Sequence, residues 1–349
     1  MPVPLPLPTE EEFPSDEAVQ QLLHERVRDR LAVGLIVGLI DPRGSRFLAA
    51  GTSGNPARPV VDEQTLFEIG SLTKIFTAAA LSDAVARGSV SLEDPLAKFL
   101  SLPPDGIGDR SLKELATHTS GLPRLPSGYT WWSNLVRHPR NPYANYSQHD
   151  LQVFLVTLKG KAFPRGEFLY SNLGAGILGH ILAVREKTDY AGLLARRVTH
   201  PLQMSRTYLH IPPPEQIYVA QPHTKSLRPT PVWTMAALAG AGGLLSGMHD
   251  MLRFASAALA ATPPLLSSLF EPLAPTRVVD RSVGLGWMLR SSDAYRVAWH
   301  NGGTGGSRAF LGLEFKIGRA IVVLANTASS LDQFAVRLLL GPTHSANFF

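Results

Sequence analysis

The amino-acid sequence predicts an α/β fold of the α+β kind. One antiparallel β-sheet is formed by the N- and C-terminal segments and flanked by helices, and a mainly helical domain is inserted between them. Three observations predict it. Strand-like runs rich in β-branched residues lie near the two ends, within residues 32–50 and 283–325. The stretch from about 90 to 240 instead reads as helical pieces linked by Pro/Gly-rich loops. With 349 residues, 44% hydrophobic and 17% charged, the chain can fill two packed lobes. The expected division is residues 1–88 with 240–349 as a discontinuous α/β domain and 89–239 as the helical domain, with the active-site cleft between them.

Taken in order, residues 17–30 have helical spacing, with Val19, Leu22, Leu23, Val27 and Leu31 on one side. Residues 32–40 and 46–50 read as two strands joined by a tight turn at Asp41-Pro42-Arg43-Gly44. An alanine-rich helix over 71–86 starts right after Gly70, and 92–95 is a loop. Helices are expected over 112–117, 148–158, 173–184, 190–200 and 249–261. Strands follow over 283–289, 294–299, 309–315 and 319–325, the last two flanking a hairpin turn at Lys316-Ile317-Gly318. A final helix spans 331–340.

Composition removes several function classes. Without cysteine there is no disulfide framework, thiolate nucleophile or cysteine-ligated zinc, so a nucleophile must be an oxygen or an amine. The formal charge of +5 comes from 33 dispersed basic residues with no cationic stripe, which argues against nucleic-acid binding. The apolar runs at 31–40 and 233–248 are shorter than the roughly 18 residues of a membrane span. The proline-rich start, Met-Pro-Val-Pro-Leu-Pro-Leu-Pro, lacks the basic and apolar regions of a signal peptide. The expectation is therefore a cytoplasmic protein with a small-molecule partner and neither a nucleic-acid nor a membrane one; oligomeric state stays open.

Three elements carry chemistry. A serine hydroxyl needs a neighbouring base and donors aimed at the developing oxyanion. Ser71-Leu72-Thr73-Lys74 supplies hydroxyl and base, because residues three apart on a helix share a face. A helix N-terminus favours negative charge on the serine oxygen, and desolvation would leave more of Lys74 neutral. Its plainer reading is an exposed helix start with a surface lysine. In Tyr170-Ser171-Asn172 the phenol can relay a proton and the amide can hold substrate and orient the lysine; the plainer reading is a turn tyrosine with an N-cap asparagine. In the run from His300 to Gly306, between two predicted strands, Gly302 and Gly303 let a substrate approach the backbone, and the Gly303 N–H could complete an oxyanion hole. A glycine-rich hairpin loop with a solvent-exposed histidine is the alternative.

In this order and spacing the three elements resemble the Ser-x-x-Lys, Tyr-x-Asn and Lys/His-x-Gly motifs of the serine β-lactamase and penicillin-binding protein superfamily, particularly its class C-like branch, which includes family VIII-type esterases. Thr65-Leu66-Phe67-Glu68-Ile69-Gly70, Thr117-His118-Thr119-Ser120-Gly121-Leu122-Pro123, Pro201-Leu202-Gln203-Met204 and Gly242-Gly243-Leu244-Leu245-Ser246 are similar to further signposts of that family. The resemblance covers roughly residues 15–340. It implies a β-lactamase/transpeptidase-like fold in which Ser71 forms the acyl-enzyme and Lys74 and Tyr170 share proton transfer. Asn172, His300, Gly302 and Gly303 would contact the substrate, the N–H groups of Ser71 and Gly303 would form the oxyanion hole, and the third motif would lie on a sheet edge strand.

One position departs from the pattern. Class C β-lactamases typically have lysine where this chain has His300, and neutral histidine attracts a β-lactam carboxylate less well. The expected activity is thus a carboxylesterase-like serine hydrolase acting on small esters or amides, with at most weak β-lactam hydrolysis. A class C-type β-lactamase, a D-amino-acid peptidase or amidase, and a slow-turnover penicillin-binding sensor or scaffold are the rivals.

No cofactor or metal is expected. Gly174-Ala175-Gly176-Ile177-Leu178-Gly179 matches a dinucleotide fingerprint letter for letter, but residues 194–197 offer Leu, Ala, Arg and Arg where an acidic residue belongs, so these glycines read as close helix packing. No His-Glu-x-x-His pair or Gly-x-Ser-x-Gly elbow is present. His118 reads as a loop anchor. Tyr129, Trp131 and Trp132, in an expected loop over 125–146, either wall an apolar acyl pocket or pin that loop to the helical region.

Overall fold

Helix α1 (Asp16–Arg28) begins where Ser15 caps it, the Ala18 N–H donating to Ser15 Oγ at 3.3 Å. Acidic Asp16 and Glu17 occupy its first turn and Arg26 and Arg28 its last, matching the helix dipole. The computed structural model describes residues 13–158, 164–262, 266, 268–346 and 348–349; the proline-rich lead at 1–12 and Phe163 lie outside the described residues.

After α1 come strands β1 (Gly34–Asp41), β2 (Gly44–Gly51) and β3 (Phe67–Glu68), a 3₁₀ turn (Gly70–Leu72) and helix α2 (Thr73–Ala86). The helical middle holds α3 (Leu112–Ala116), α4 (Tyr129–Arg137), α5 (Gln148–Thr157), α6 (Asn172–Arg185) and α7 (Tyr190–Leu194). Strand β4 (Thr207–Tyr208), helix α8 (Ala239–Gly242), strand β5 (Leu245–Ser246) and helix α9 (Met248–Leu259) lead to the second set of strands. These are β6 (Ala274–Pro275), β7 (Arg281–Val283), β8 (Met288–Ser291), β9 (Arg296–Gly303), β10 (Arg308–Glu314) and β11 (Arg319–Ala325), followed by α10 (Asp332–Ser345).

The main sheet runs β2-β1-β11-β10-β9-β8-β7-β6 with antiparallel neighbours, and β3, β5 and β4 make a small second sheet. The two ends of the chain meet where β1 pairs β11, Leu35 opposite Ala325. Alternation sorts the side chains. Ile36, Leu311, Val322 and Leu324 pack with the cores of α2, α6 and α9, whereas Leu35, Val37, Phe310, Ile321 and Val323 pack with Val19 and Leu23 of α1 and Leu338 and Leu339 of α10. Covered on both faces, β1 and β11 are buried at every position, which is why they read as continuous apolar runs. Removing a side chain such as Ile321 costs about 2–5 kcal/mol in such a core.

Several sequence expectations change. The single strand over 283–289 is two, because Gly284 to Trp287 turn the chain and Gly286 takes φ 72° between β7 and β8. The loop over 125–146 contains α4, and the helix over 190–200 widens into a π-helical turn at Ala195–Thr199. The last helix runs past 340, interrupted at Gly341 (φ 74°). The glycines of the 174–179 run lie inside α6, where a Cβ on Gly176 would come within 2.5 Å of Leu238 and one on Gly179 within 3.0 Å of the Gly240 Cα, so they let α6 and α8 touch. Among the described residues no helix is long and apolar enough to cross a membrane.

Candidate active site

Ser71 sits in the 3₁₀ turn ahead of α2 and not in the helix proper, but Lys74 in the first turn of α2 is still one turn away. Gly70 adopts φ 50°, and a Cβ there would lie 2.5 Å from the Gly303 nitrogen; a Cβ on Gly302 would lie 1.9 Å from the Ile69 carbonyl oxygen. Glycine at these positions is what allows β9 to rest directly on the serine turn.

Lys74 is 3% exposed. Its Nζ lies 3.0 Å from Ser71 Oγ, 2.9 Å from Asn172 Oδ1 and 2.6 Å from the Ala241 carbonyl oxygen. Burial pushes the amine well below its usual range, and the charge of Arg124 adds to the effect. Desolvation, one of the causes expected from sequence, is the largest. A neutral amine has two hydrogens and one lone pair. Asn172 presents its oxygen, since its Nδ2 donates to the Tyr143 hydroxyl at 3.0 Å, and Ala241 presents a carbonyl. With both hydrogens directed there, the lone pair of Lys74 faces the Ser71 hydroxyl.

Tyr170 is held from four sides. Its ring lies 4.9 Å from Lys74 Nζ and 5.1 Å from the Arg124 guanidinium carbon, and it meets the rings of His118 at 4.6 Å and His300 at 6.1 Å. Burial pushes the phenol up to about 12, with the Ser71 hydroxyl and the Arg124 charge pulling the other way, so Tyr170 keeps its proton at neutral pH. The adjoining backbone is anchored as well: Ser171 N–H donates to His118 Nδ1 at 3.2 Å, and the Asn172 N–H donates to the Arg124 carbonyl at 3.0 Å. His118 therefore anchors a loop, at the site itself. The N-cap of α6 is Ser171, which accepts from the Gly174 N–H at 2.9 Å, so Asn172 is released from capping and turns to Lys74.

His300 is neither solvent-exposed nor in a loop. It is 3% exposed within β9, its Nδ1 lies 2.6 Å from the Asn301 carbonyl oxygen, and burial with the Lys74 charge lowers it to about 3. The strand is also not an edge throughout: β8 pairs with Arg296 to Trp299, and only from His300 to Gly303 does β9 lack that neighbour.

Ser71, Tyr170, Gly302 and Gly303 open into a cavity of about 430 Å³ that Arg124 and Arg308 also line. Arg308 stands beside Gly303, its Nη1 donating to the carbonyls of Thr304 at 2.8 Å and Ser307 at 2.9 Å, while Asp332, which accepts from Asn301 at 2.9 Å, partly offsets its charge. Tyr143 lies in an aromatic cluster with Trp131 and Trp233. Trp131 is buried and Trp132 is 62% exposed, so they do not form one wall; the side chain of Tyr129 lies outside those described.

Sequence reasoning missed Ala241, Arg124, Tyr143 and Arg308. Arg124 directly follows the signpost ending at Pro123 and Ala241 precedes the one at Gly242, which is the signal that pointed at them. Nothing local marked Tyr143 or Arg308.

Comparison with known proteins agrees with this architecture. The chain is 29% identical to the D-alanyl-D-alanine-carboxypeptidase/endopeptidase AmpH of Escherichia coli over 93% of its length and 87% of the relative's, and 25% identical to a β-lactamase of Pseudomonas fluorescens over 89% and 92%. Its fold matches a class C β-lactamase of Rhodobacter sphaeroides with TM-score 0.80 at 22% identity, covering 95% of this chain and 98% of that one. A β-lactamase/D-alanine carboxypeptidase of Pseudomonas syringae matches with TM-score 0.82 at 20% identity over 94% and 99%. With the β-lactamase family model matching residues 19–340, the chain belongs to the β-lactamase family and is a serine hydrolase of that family.

Proposed function

We propose that the protein hydrolyses small carboxylic esters through a Ser71 acyl-enzyme, in the cleft between residues 1–88 with 240–349 and residues 89–239. The observation that carries this reading is that Lys74 Nζ touches the Ser71 hydroxyl and two further acceptors, which can take both hydrogens of a neutral amine and leave its lone pair for Ser71. Ser71 Oγ attacks the carbonyl as its proton passes to Lys74. Tyr170, still protonated, gives its proton to the leaving oxygen or nitrogen and recovers one from Lys74. Water then adds to the acyl carbonyl by the reverse relay and frees Ser71. The N–H groups of Ser71 and Gly303 receive the oxyanion, while Asn172 orients Lys74 and, with His300 and Gly302, borders the substrate.

Hydrolysis of a short p-nitrophenyl ester tests this reading. Wild-type turnover should be lost in Ser71→Ala; turnover retained in that variant refutes it.

A second reading has one observation behind it. His300 stays neutral, but Arg308 beside Gly303 and Arg124 beside Tyr170 bring positive charge to the same cavity, which suits an acyl donor bearing a carboxylate. A D-aminoacyl peptide or a β-lactam meets that description, as the names of the relatives suggest. Comparing a chromogenic cephalosporin and a D-alanyl dipeptide with the neutral ester decides between the readings. The ester is expected to be the better substrate.

A further inference from the structure

A buried carboxylate with no cationic partner among the described residues stands two residues before Gly70. Glu68, in β3, is 4% exposed. It accepts the Trp233 N–H on Oε1 at 2.7 Å, and on Oε2 the hydroxyls of Thr304 at 2.9 Å and Ser307 at 2.8 Å. All three partners donate, as an ionised carboxylate requires, and these hydrogen bonds, the Trp233 N–H first, pull the carboxyl down against the burial that raises it. Thr304 has no other choice: its oxygen already accepts the N–H groups of Gly306 at 3.3 Å and Ser307 at 3.1 Å, so its one hydrogen is left for Glu68.

Two of the three segments joined in this way reach the cavity, through Ser71 and Thr304, and the third braces them. One leads into the serine turn, one is the β9–β10 turn that begins at Thr304, immediately after Gly303, and one carries Trp233, which packs on Gly305. We propose that Glu68 is a positioning residue for the hydrolysis, its carboxylate locking the turn that carries Ser71 to the turn that follows Gly303 and so setting the separation of the two backbone N–H groups that receive the oxyanion. The assignment rests on the acyl-enzyme reading above. Because those donors act on charge that develops during reaction, loosening the lock lowers kcat more than it raises KM.

Glu68→Gln is nearly isosteric, yet it cannot satisfy the site. If the amide oxygen faces the hydroxyls, its NH₂ meets the Trp233 N–H; if the amide is flipped, the NH₂ meets the Thr304 hydrogen. Ser307→Ala loosens the same link from the other turn.

The test counts active sites with a fluorophosphonate that labels Ser71. It then measures kcat per labelled site, KM for a p-nitrophenyl ester, inhibition by a boronic acid that forms a tetrahedral Ser71 adduct, and the melting temperature. Glu68→Gln should lose roughly 10–100-fold in kcat per site with KM within about twofold, and boronate inhibition should weaken by a similar factor. Ser307→Ala should lose less in the same pattern, and the double variant no more than Glu68→Gln alone. Per-site kcat and boronate affinity within about twofold of wild type, with only the melting temperature lowered, would overturn the assignment. Should Glu68→Gln fail to fold, Ser307→Ala is judged by the same criteria. A wild-type chain left unlabelled at Ser71 overturns the acyl-enzyme reading itself, and the role of Glu68 with it.

Discussion

At the inner end of the cleft Lys74 and Asn172 are buried, and their polar atoms meet one another, the Ser71 and Tyr143 hydroxyls and the Ala241 carbonyl. At its mouth Arg124 is exposed, Arg308 is half-buried, and their charges face a cavity open to water. The inner end leaves little room for substitution, because an unpaired buried polar group costs about 1–3 kcal/mol. The mouth is tolerant, because exposed charges act through a screened field. On the proposed reading the reaction is fixed at one end and the preference among substrates is set at the other.

The sharpest way to break this contrast is to touch the inner end. Lys74→Arg puts a group that stays protonated where the amine's lone pair faces Ser71, and kcat/KM should fall about 10³-fold or more, the scale of losing both base and geometry. In the wild type the lowered Lys74 extends the active range to lower pH than an ordinary lysine would allow, and the raised Tyr170 keeps the rate level on the alkaline side. A pH–rate profile of Lys74→Arg that matches the wild type would contradict Lys74 as base. Tyr170→Phe comes next, with an expected loss of about 10²-fold that is smallest for esters with good leaving groups, since these need least protonation. Hammett-type comparison of substituted phenyl esters reads it.

Mouth variants should behave differently. Arg308→Met is expected to cost about tenfold in kcat/KM for carboxylate-bearing esters and to leave neutral esters within about twofold, with the difference shrinking as salt is added. Equal losses on both substrates would assign Arg308 to structure. On the rate the smallest effect is at His300, which stays neutral and acts on stability instead. The unfolded chain takes up a proton near the usual 6.5 while the folded one resists until about 3, so stability should fall as pH falls through that window, by up to about 1.4 kcal/mol per pH unit for this group. His300→Asn should show a shallower decline in acid denaturation midpoints while the pH–rate profile above pH 6.5 stays in place.

Legibility followed the range of the interactions involved. Ser71 and Lys74 could be read together because helical spacing is local, and β1 and β11 because burial on both faces leaves a continuous apolar run. Helix α4 escaped because Gly128 opens it with no side-chain cap, and its buried positions Trp131 and Asn134 do not form an apolar stripe. The β7–β8 hairpin escaped because Gly284 and Gly286 interrupt what looks like one strand. Tyr170 and Asn172 are placed near Ser71 and Lys74 by family resemblance, since no local rule brings together Lys74 and Asn172, which are 98 positions apart. Glu68, Ala241 and Arg308 act through contacts across more than 160 positions or through backbone, and residue type alone does not announce such roles.

The most direct measurement is rapid-quench mass spectrometry of the protein mixed with a p-nitrophenyl ester of a short acyl group. The account predicts that the acyl mass appears transiently on the peptide containing Ser71 and vanishes as the ester is consumed. Turnover with no adduct on that peptide, or with the adduct on another residue, would contradict it.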